Sequence, residues 1–173
     1  MNKFFFSLLT FVAMLMVTAC SNDKTNDAFN ENLRKIVTRH IQANVNDNEK
    51  LEISEISKPD SIFGLLYLPE KDLAYIAKMN DKVTEYFMKK TDNMSKMDSN
   101  DGQLAYIANK QMLVAAQMND IFSFSMQKGN FCGWVVKANY TVKNKRGTRK
   151  TREWFFIDKD GSFIYNTFAI PLI

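Results

Sequence analysis

The sequence predicts an α+β protein, in which an amphipathic N-terminal helix and one strand precede a helical pair and a three-stranded antiparallel meander. Two observations lead to this prediction. Apolar residues recur at three- and four-residue spacing in three segments, near residues 29–41, 70–90 and 104–121. From residue 132 onward the period changes to two, and turn sequences interrupt the alternation twice.

The three helices have recognisable starts. Asn26 and Asp27 are good N-cap residues for the first helix, whose apolar stripe consists of Phe29, Leu33, Ile36, Val37, His40 and Ile41. The second begins at Pro69, which is tolerated in a first helical turn. The third follows Gly102. These helices are each amphipathic, so we expect them to pack on a sheet.

A first strand is predicted over residues 50–57, ending before Pro59. The segment 58–68 then reads as an irregular connection that carries six large apolar side chains. Such side chains are seldom free in water, so this segment either lines the core or forms an exposed contact patch.

The meander is predicted as strands over 132–143, 149–158 and 162–170, with the second turn at Asp158–Gly161. In the first strand, the side chains alternate between two faces, and one of these faces is apolar. The apolar face consists of Cys132, Trp134, Val136, Ala138, Tyr140 and Val142. Phe155 and Phe156 point to opposite faces, so one of them is expected on the outer side.

Aromatic residues are concentrated in the meander: Trp134, Tyr140, Trp154, Phe155, Phe156, Phe163, Tyr165 and Phe168. We expect most of them in the core, because aromatic residues suit strands that carry helices; a sugar-stacking platform is the alternative. Without its helical pair, the element order resembles the cystatin-like fold and its NTF2-like relatives. This resemblance is one of topology and carries no functional residues.

The N-terminus has the pattern of a secretory signal. Lys3 precedes an apolar core over residues 4–17, and the small residues that follow end at Cys20. Val17-Thr18-Ala19-Cys20 resembles the lipobox of bacterial lipoproteins, in which the cysteine receives the lipid. An uncleaved signal anchor is the alternative, but the apolar core is shorter than the roughly 20 residues of a membrane span.

The lipobox resemblance implies a signal peptide over residues 1–19, a lipidated Cys20 with a polar tether over 20–28, and a single α+β domain over 29–173. Several acyl chains, such as palmitate, would anchor the protein stably. Ser21 stands where such proteins of the inner membrane have aspartate, so the resemblance implies the cell envelope, at the outer membrane. The net charge of +4 does not imply nucleic acid, and secretion argues against it.

Catalytic and metal-binding candidates are few. His40 lies on an apolar helix stripe, and no Asp, Glu or Cys stands near it at ligand spacing, so we expect a core histidine rather than a base or metal ligand. Once Cys20 carries lipid, Cys132 is a single thiol, expected to be buried and inert. A Cys132–His40 dyad would require two distant residues to meet.

Two short motifs have structural alternatives. Asp158-Lys159-Asp160-Gly161 contains carboxylates but lacks the further ligands of a calcium loop, so a hairpin turn explains it. Asp60-Ser61-Ile62 resembles an O-glycosylation acceptor of some envelope proteins, although three residues match as readily by chance. No cofactor or metal is expected.

The strongest surface feature is a basic hairpin, which we define as Lys143, Lys145, Arg146, Arg149, Lys150 and Arg152. No acidic residue interrupts it, so it is a candidate contact for an anionic surface or a partner. The alternative is a solvated hairpin whose charges discourage aggregation.

The sequence therefore predicts a non-catalytic envelope lipoprotein, held on the membrane by lipid, that binds a protein, peptide or glycan. The first alternative is a small thiol-dependent or other hydrolase that uses Cys132 and His40. A protease-inhibitor role suggested by the cystatin-like topology ranks below both, since fold does not imply function.

Overall fold

A computed structural model of the chain describes residues 26–91, 102–125 and 128–173. The predicted signal peptide, Cys20 and the tether up to residue 25 lie outside the described residues. The chain divides into two units, Met1–Asn32 and Leu33–Ile173. All packing described below belongs to the larger unit.

The described elements follow the predicted order with one added strand, β2, and the α+β class is confirmed. The first helix, α1, covers residues 26–43. After it come β1 (Lys50–Ile56), β2 (Asp60–Ile62), α2 (Glu70–Thr91), α3 (Gly102–Ser125), β3 (Gly133–Asn144), β4 (Gly147–Ile157) and β5 (Ile164–Pro171).

The five described strands form one antiparallel sheet in the order β1-β3-β4-β5, and β2 also pairs with β3. The prediction that 58–68 is wholly irregular was wrong, because Asp60–Ile62 pairs with Gly133–Val135. Three residues are too few to show a two-residue period, so only the partner strand reveals them. Together β1 and β2 form one interrupted edge, and Pro59 lies at the interruption, where no ladder hydrogen bond is required.

The turn at 158–161 closes as predicted. Gly161 has a φ of +67°, and its N–H donates to the Asp158 carbonyl oxygen at 3.1 Å. Oδ1 of Asp158 accepts from the N–H groups of Ser162 and Phe163 at 2.6 and 3.0 Å. This carboxylate therefore stabilises a turn, and the described residues include no group of three or more His, Cys, Asp or Glu able to hold a metal ion.

One face of the sheet packs against α2 and α3. Trp154 pairs with Phe168, and Val135 pairs with Phe156, so these four side chains share a face. They form one buried cluster with Ile76 of α2, with Leu68 of the connection before α2, and with residues of α3, β2 and β5: Val114, Ile121, Ile62 and Ile170. Burial of this apolar surface holds the helical pair on the sheet.

The opposite face packs against α1. Phe155 alternates with Trp154 and Phe156 and so points away from the first cluster. The ring of His40 meets the ring of Phe155 edge to face, with 5.7 Å between centroids. Leu33, Val37 and Ile41, at helical spacing with His40, are buried. We therefore place α1 over this face.

The prediction of an outward side for Phe155 or Phe156 was wrong, because both are fully buried. Val135, on the other face of β3 from Val136, is also fully buried. The reason is the same in both cases: helices cover the two faces of the central strands, so the alternation separates two cores rather than a core from solvent.

Candidate functional site

A polar pocket of about 320 Å³ opens where the end of α1 meets α3 and the α1 side of the sheet. The size lies at the lower end of the range for small-molecule sites, roughly 300–1,000 Å³. Its lining is mostly polar and consists of His40, Ile41, Asn44, Val45, Tyr106, Lys110, Tyr140, Val142, Arg149, Thr151, Glu153 and Thr167.

Two hydrogen bonds made by tyrosine hydroxyl groups join side chains that line the pocket. The Tyr140 hydroxyl donates to Oε2 of Glu153 at 2.7 Å. The Tyr106 hydroxyl shares a hydrogen bond with the Thr151 hydroxyl. Tyr140 and Thr151 are opposite each other on β3 and β4, so the two bonds lie side by side. The register of one hairpin thus places a carboxylate and two hydroxyl groups together, and Tyr106 of α3 adds a third hydroxyl group.

Both tyrosines are held in their protonated form. Burial raises the pKa of Tyr140 far above its usual value, and the neighbouring Glu153 carboxylate raises it further. Burial also raises the pKa of Tyr106, although its hydrogen bond to Thr151 acts in the opposite direction. Each tyrosine therefore keeps its proton at neutral pH, and Tyr140 remains a hydrogen-bond donor to Glu153.

Arg149 is fixed at the pocket by a carboxylate behind it. Its guanidinium pairs with Oε1 of Glu49, whose side chain is only 4% exposed. Asn144 donates to the same oxygen at 2.7 Å, and Asn46 donates to Oε2 through Nδ2 at 3.0 Å. Burial acts to raise the pKa of Glu49, but these hydrogen bonds and the charge of Arg149 together hold that pKa below its usual value.

These contacts hold the Arg149 side chain in place beside the pocket. The guanidinium lies 5.7 Å from the centre of the Tyr106 ring, which is within cation–π distance. A hydrogen bond between charged groups is stronger than one between neutral groups, so the Glu49 carboxylate restrains the Arg149 side chain. Arg149 and Tyr106 thus form an ordered wall of the pocket.

The single histidine is half-buried, and it has two roles in the packing. Its ring contacts Phe155 in the core, as the helix stripe predicts, and it also lines the polar pocket. Its backbone carbonyl accepts from Nδ2 of Asn44 at 2.9 Å, which closes the end of α1.

Cys132 lies far from His40. It precedes β3, its N–H donates to the Ile62 carbonyl, and its thiol approaches the Asn130 carbonyl at 3.3 Å. His40 meets Phe155, whose partner on β3 is Val136, four residues beyond Cys132. Four residues of extended chain span about 13 Å, so Cys132 and His40 make their contacts at different places along the sheet. The structure therefore does not bring the two residues of the predicted dyad together, and Cys132 is half-buried rather than buried.

The basic hairpin is divided between structural and exposed charges. Arg149 is held by Glu49, and Arg152 donates to Oδ1 of Asn139 at 2.7 Å while its guanidinium lies 4.4 Å above the Tyr75 ring. Lys143 pairs with Glu52 at 3.3 Å near the surface. The remaining members are exposed and have no ion pair within the described part of the chain: Lys145, Arg146 and Lys150.

The aromatic residues of the meander are likewise distributed between the core and the surface. Trp154, Phe155, Phe156 and Phe168 are in the core, as expected for most of the set. Phe163 is exposed, while Trp134, Tyr140 and Tyr165 are half-buried. Ser61 of the Asp60-Ser61-Ile62 motif is exposed on β2, and glycosylation there stays a prediction.

Sequence reasoning did not identify Tyr106, Thr151 or Glu153 as site residues. Tyr106 comes from α3, whereas Thr151 and Glu153 alternate along β4 within a strand noted for its charge and aromatic content. No local spacing links a helix residue to a strand residue 45 positions later. The available signal was the two-residue alternation of Thr151 and Glu153 on the face of Phe155.

Among the described residues, no helix combines the length and apolar character required to cross a membrane. Comparison with protein-family models, with curated proteins and with solved structures finds no match to this chain.

Proposed function

We propose that this protein is a lipid-anchored lipoprotein of the cell envelope, at the outer membrane, that acts as a non-catalytic binding module. Its ligand is a glycan, and one sugar unit occupies the polar pocket. The Val17–Cys20 lipobox supports the anchor, and the pocket supports the ligand class.

The observation that best supports a glycan ligand is the set of paired hydroxyl and carboxylate groups around Tyr140 and Glu153. Sugar hydroxyls both donate and accept hydrogen bonds, so they match a wall that offers a carboxylate acceptor, hydroxyl groups and the amide of Asn44. The groups are already positioned by the β3–β4 register and by Arg149, which lowers the entropic cost of binding. A pocket with this polar lining is poorly suited to an apolar ligand.

The same pocket lacks the parts of a glycosidase. That reaction generally uses two carboxyl groups on either side of the bond that breaks. Among the residues that line the pocket, Glu153 is the single acid, and it already accepts the Tyr140 hydroxyl. With Cys132 distant from His40, the lining also offers no nucleophile with an adjacent base. These features favour binding over catalysis.

The ligand proposal is tested by titrating the protein with N-acetylglucosamine oligomers and with glucose and galactose oligosaccharides, followed by NMR or calorimetry. Tyr140→Phe and Glu153→Gln should each weaken binding by about 1–2 kcal/mol, or 5- to 30-fold, because a hydrogen bond in the site is lost. Tyr86→Phe is the matched control, since it removes a tyrosine hydroxyl on α2, outside the pocket. Equal affinity of all three variants for a bound glycan would disprove this site.

The anchor is tested separately by growth with labelled palmitate and by fractionation of the envelope. Label should enter the wild-type protein and should be absent from Cys20→Ser. Recovery of the protein with inner membranes would contradict the proposed location while leaving the anchor intact.

The exposed members of the basic hairpin also support contact with an acidic envelope protein. Crosslinking in intact cells should capture one such partner through Lys145 or Lys150. The Arg146→Glu variant should lose most of that crosslink, because the charge that attracts the acidic surface is reversed while both reactive lysines remain.

A further inference from the structure

Apolar side chains gather at the end of the sheet where β3 begins and β4 ends. We call this surface the aromatic end and define it as Phe63, Leu65, Phe131, Trp134 and Phe163. The Phe131 ring lies 6.0 Å from the Phe63 ring and 5.4 Å from the Trp134 ring, each edge to face. These contacts make the half-buried rings one continuous surface.

Hydrogen bonds hold the backbones of the two remaining residues, Leu65 and Phe163, and the indole of Trp134. The Tyr165 hydroxyl donates to the Leu65 carbonyl at 2.8 Å, and the Trp134 indole N–H donates to the Lys159 carbonyl at 3.0 Å. The adjacent turn carries Phe163, whose carbonyl accepts the Asp158 N–H. Leu65 is 61% exposed and Phe163 is 57% exposed. Their backbones are thus fixed while their apolar side chains extend into solvent.

Charge at the aromatic end is mixed. Nζ of Lys128 lies 4.8 Å above the Phe63 ring, and Lys159 and Asp160 are exposed in the neighbouring turn. A long lysine side chain can cover an aromatic ring while its ammonium group remains in a polar layer. The combination of exposed apolar tips, a half-buried tryptophan and flanking lysines is typical of a surface at a membrane–water interface.

The direction of α1 within this unit indicates where the preceding chain enters it. Asn44 and Val45 line the pocket beside Val142 and Arg149, and Lys50 then pairs with Lys143, so α1 ends near the basic hairpin. Leu33 lies ten residues before the end of α1, which corresponds to about 15 Å along the helix. The chain therefore enters this unit toward the aromatic end. Thirteen positions separate Leu33 from Cys20 in the sequence.

We propose that the aromatic end is a bilayer contact, in which Leu65 and Phe163 insert into the lipid interface and Trp134 lies at headgroup depth. This inference rests on the proposed lipid anchor. The basic hairpin and the opening beside it then point away from the bilayer, toward partners and glycans. Insertion depends mainly on apolar burial, so it should depend only weakly on anionic lipid.

The two tryptophans allow a direct test. Trp134 belongs to the aromatic end, whereas Trp154 is fully buried in the core. The full-length lipidated protein is reconstituted into phosphatidylcholine vesicles whose acyl chains are brominated or unmodified. Flotation measures anchoring, and the loss of tryptophan emission in brominated vesicles measures contact of Trp134 with lipid.

The wild type should float and lose emission in brominated vesicles, while Trp134→Phe should float and keep its emission. Trp154→Phe should show the larger fractional loss, since it lacks the shielded core fluorophore. The double variant Leu65→Ser/Phe163→Ser should lose most of the quenching. Ile173→Ser is the matched control, because Ile173 is also exposed and apolar but lies near the hairpin end of β4.

Each further outcome contradicts the proposal in a distinguishable way. A wild type that floats without quenching leaves the anchor intact and shows that the aromatic end does not touch lipid. A wild type that does not float overturns both the anchor and the bilayer contact. Equal loss of quenching in Ile173→Ser and in the double variant would show that the effect is not specific to the aromatic end.

Discussion

Replacement of Lys137 by methionine is the sharpest test of how the helical pair is held on the sheet. Nζ of Lys137 lies 3.2 Å from Oδ2 of Asp72, in the first turn of α2, and 3.3 Å from Oδ2 of Asp60 on β2. One ammonium group on β3 therefore connects three elements. Its side chain is 19% exposed and that of Asp72 is 11% exposed, so water compensates little for a lost partner.

The expected loss of folding free energy depends on which charge stays buried after the substitution. Methionine retains the apolar stem, but it leaves the Asp72 carboxylate buried without its cation. Removal of one partner of a buried pair typically costs about 3–5 kcal/mol, and we expect about 3 kcal/mol here because both groups retain some exposure. At about 2–4 °C per kcal/mol, the melting temperature should fall by about 6–12 °C.

The assay is urea unfolding followed by circular dichroism, with Lys143→Met as the control. Lys143 points to the same face of β3, but its pair with Glu52 is largely exposed, so its loss should cost at most about 0.5 kcal/mol. Lys137→Met/Asp72→Asn should recover at least about 1 kcal/mol relative to Lys137→Met, since both charges are gone. If Lys137→Met costs no more than Lys143→Met, the bridge does not hold α2 on the sheet.

Three further predictions follow from the backbone and the titrating groups. Gly133→Ala should cost about 3 kcal/mol or more in urea unfolding, because a β-carbon would overlap the Ile157 carbonyl oxygen and φ is +148°; an unchanged midpoint would show that β3 can shift there. Because the pKa of Glu49 is lowered in the folded state, its ionisation stabilises the fold above the usual carboxyl value of 4.5, and this contribution disappears as the pH falls through the folded pKa. The stability of Glu49→Gln should therefore fall less steeply with decreasing pH than that of the wild type. An identical dependence of stability on acidic pH would contradict the assignment. The raised pKa of Tyr140 stabilises the fold below the usual tyrosine value of 10.0 and is lost above it, so Tyr140→Phe should unfold less steeply with rising pH between about 9 and 11 than Tyr86→Phe does.

The secondary structure was largely predictable because its signals are local. The three-residue and four-residue spacing of Leu33, Val37 and Ile41 marks a helix face wherever the helix packs. The Asp158–Gly161 turn likewise closes through its own carboxylate and its own glycine. The short strand Asp60–Ile62 was missed, since its formation depends on Gly133–Val135, more than 70 residues away.

The site was predictable only in part. Arg149 was noted as a member of a basic cluster, but its pairing with Glu49 across 100 residues separates it from the exposed lysines. Tyr106 and Glu153 carry no mark in the sequence that distinguishes them from other residues of their kinds. They acquire a role because α3 lies along β5, which allows Tyr106 to reach the α1 side of the sheet.

By itself, the sequence determined the α+β class, the order of the elements, the hairpin turns and the lipobox resemblance at Cys20. The tertiary structure alone decided that both faces of the central strands are covered, that Cys132 lies apart from His40, and that a polar pocket forms beside Tyr140. The physical reason is the separation in sequence over which each effect acts. Periodicity and turn chemistry act over a few residues, whereas burial, ion pairing and pKa shifts depend on groups that only folding brings together.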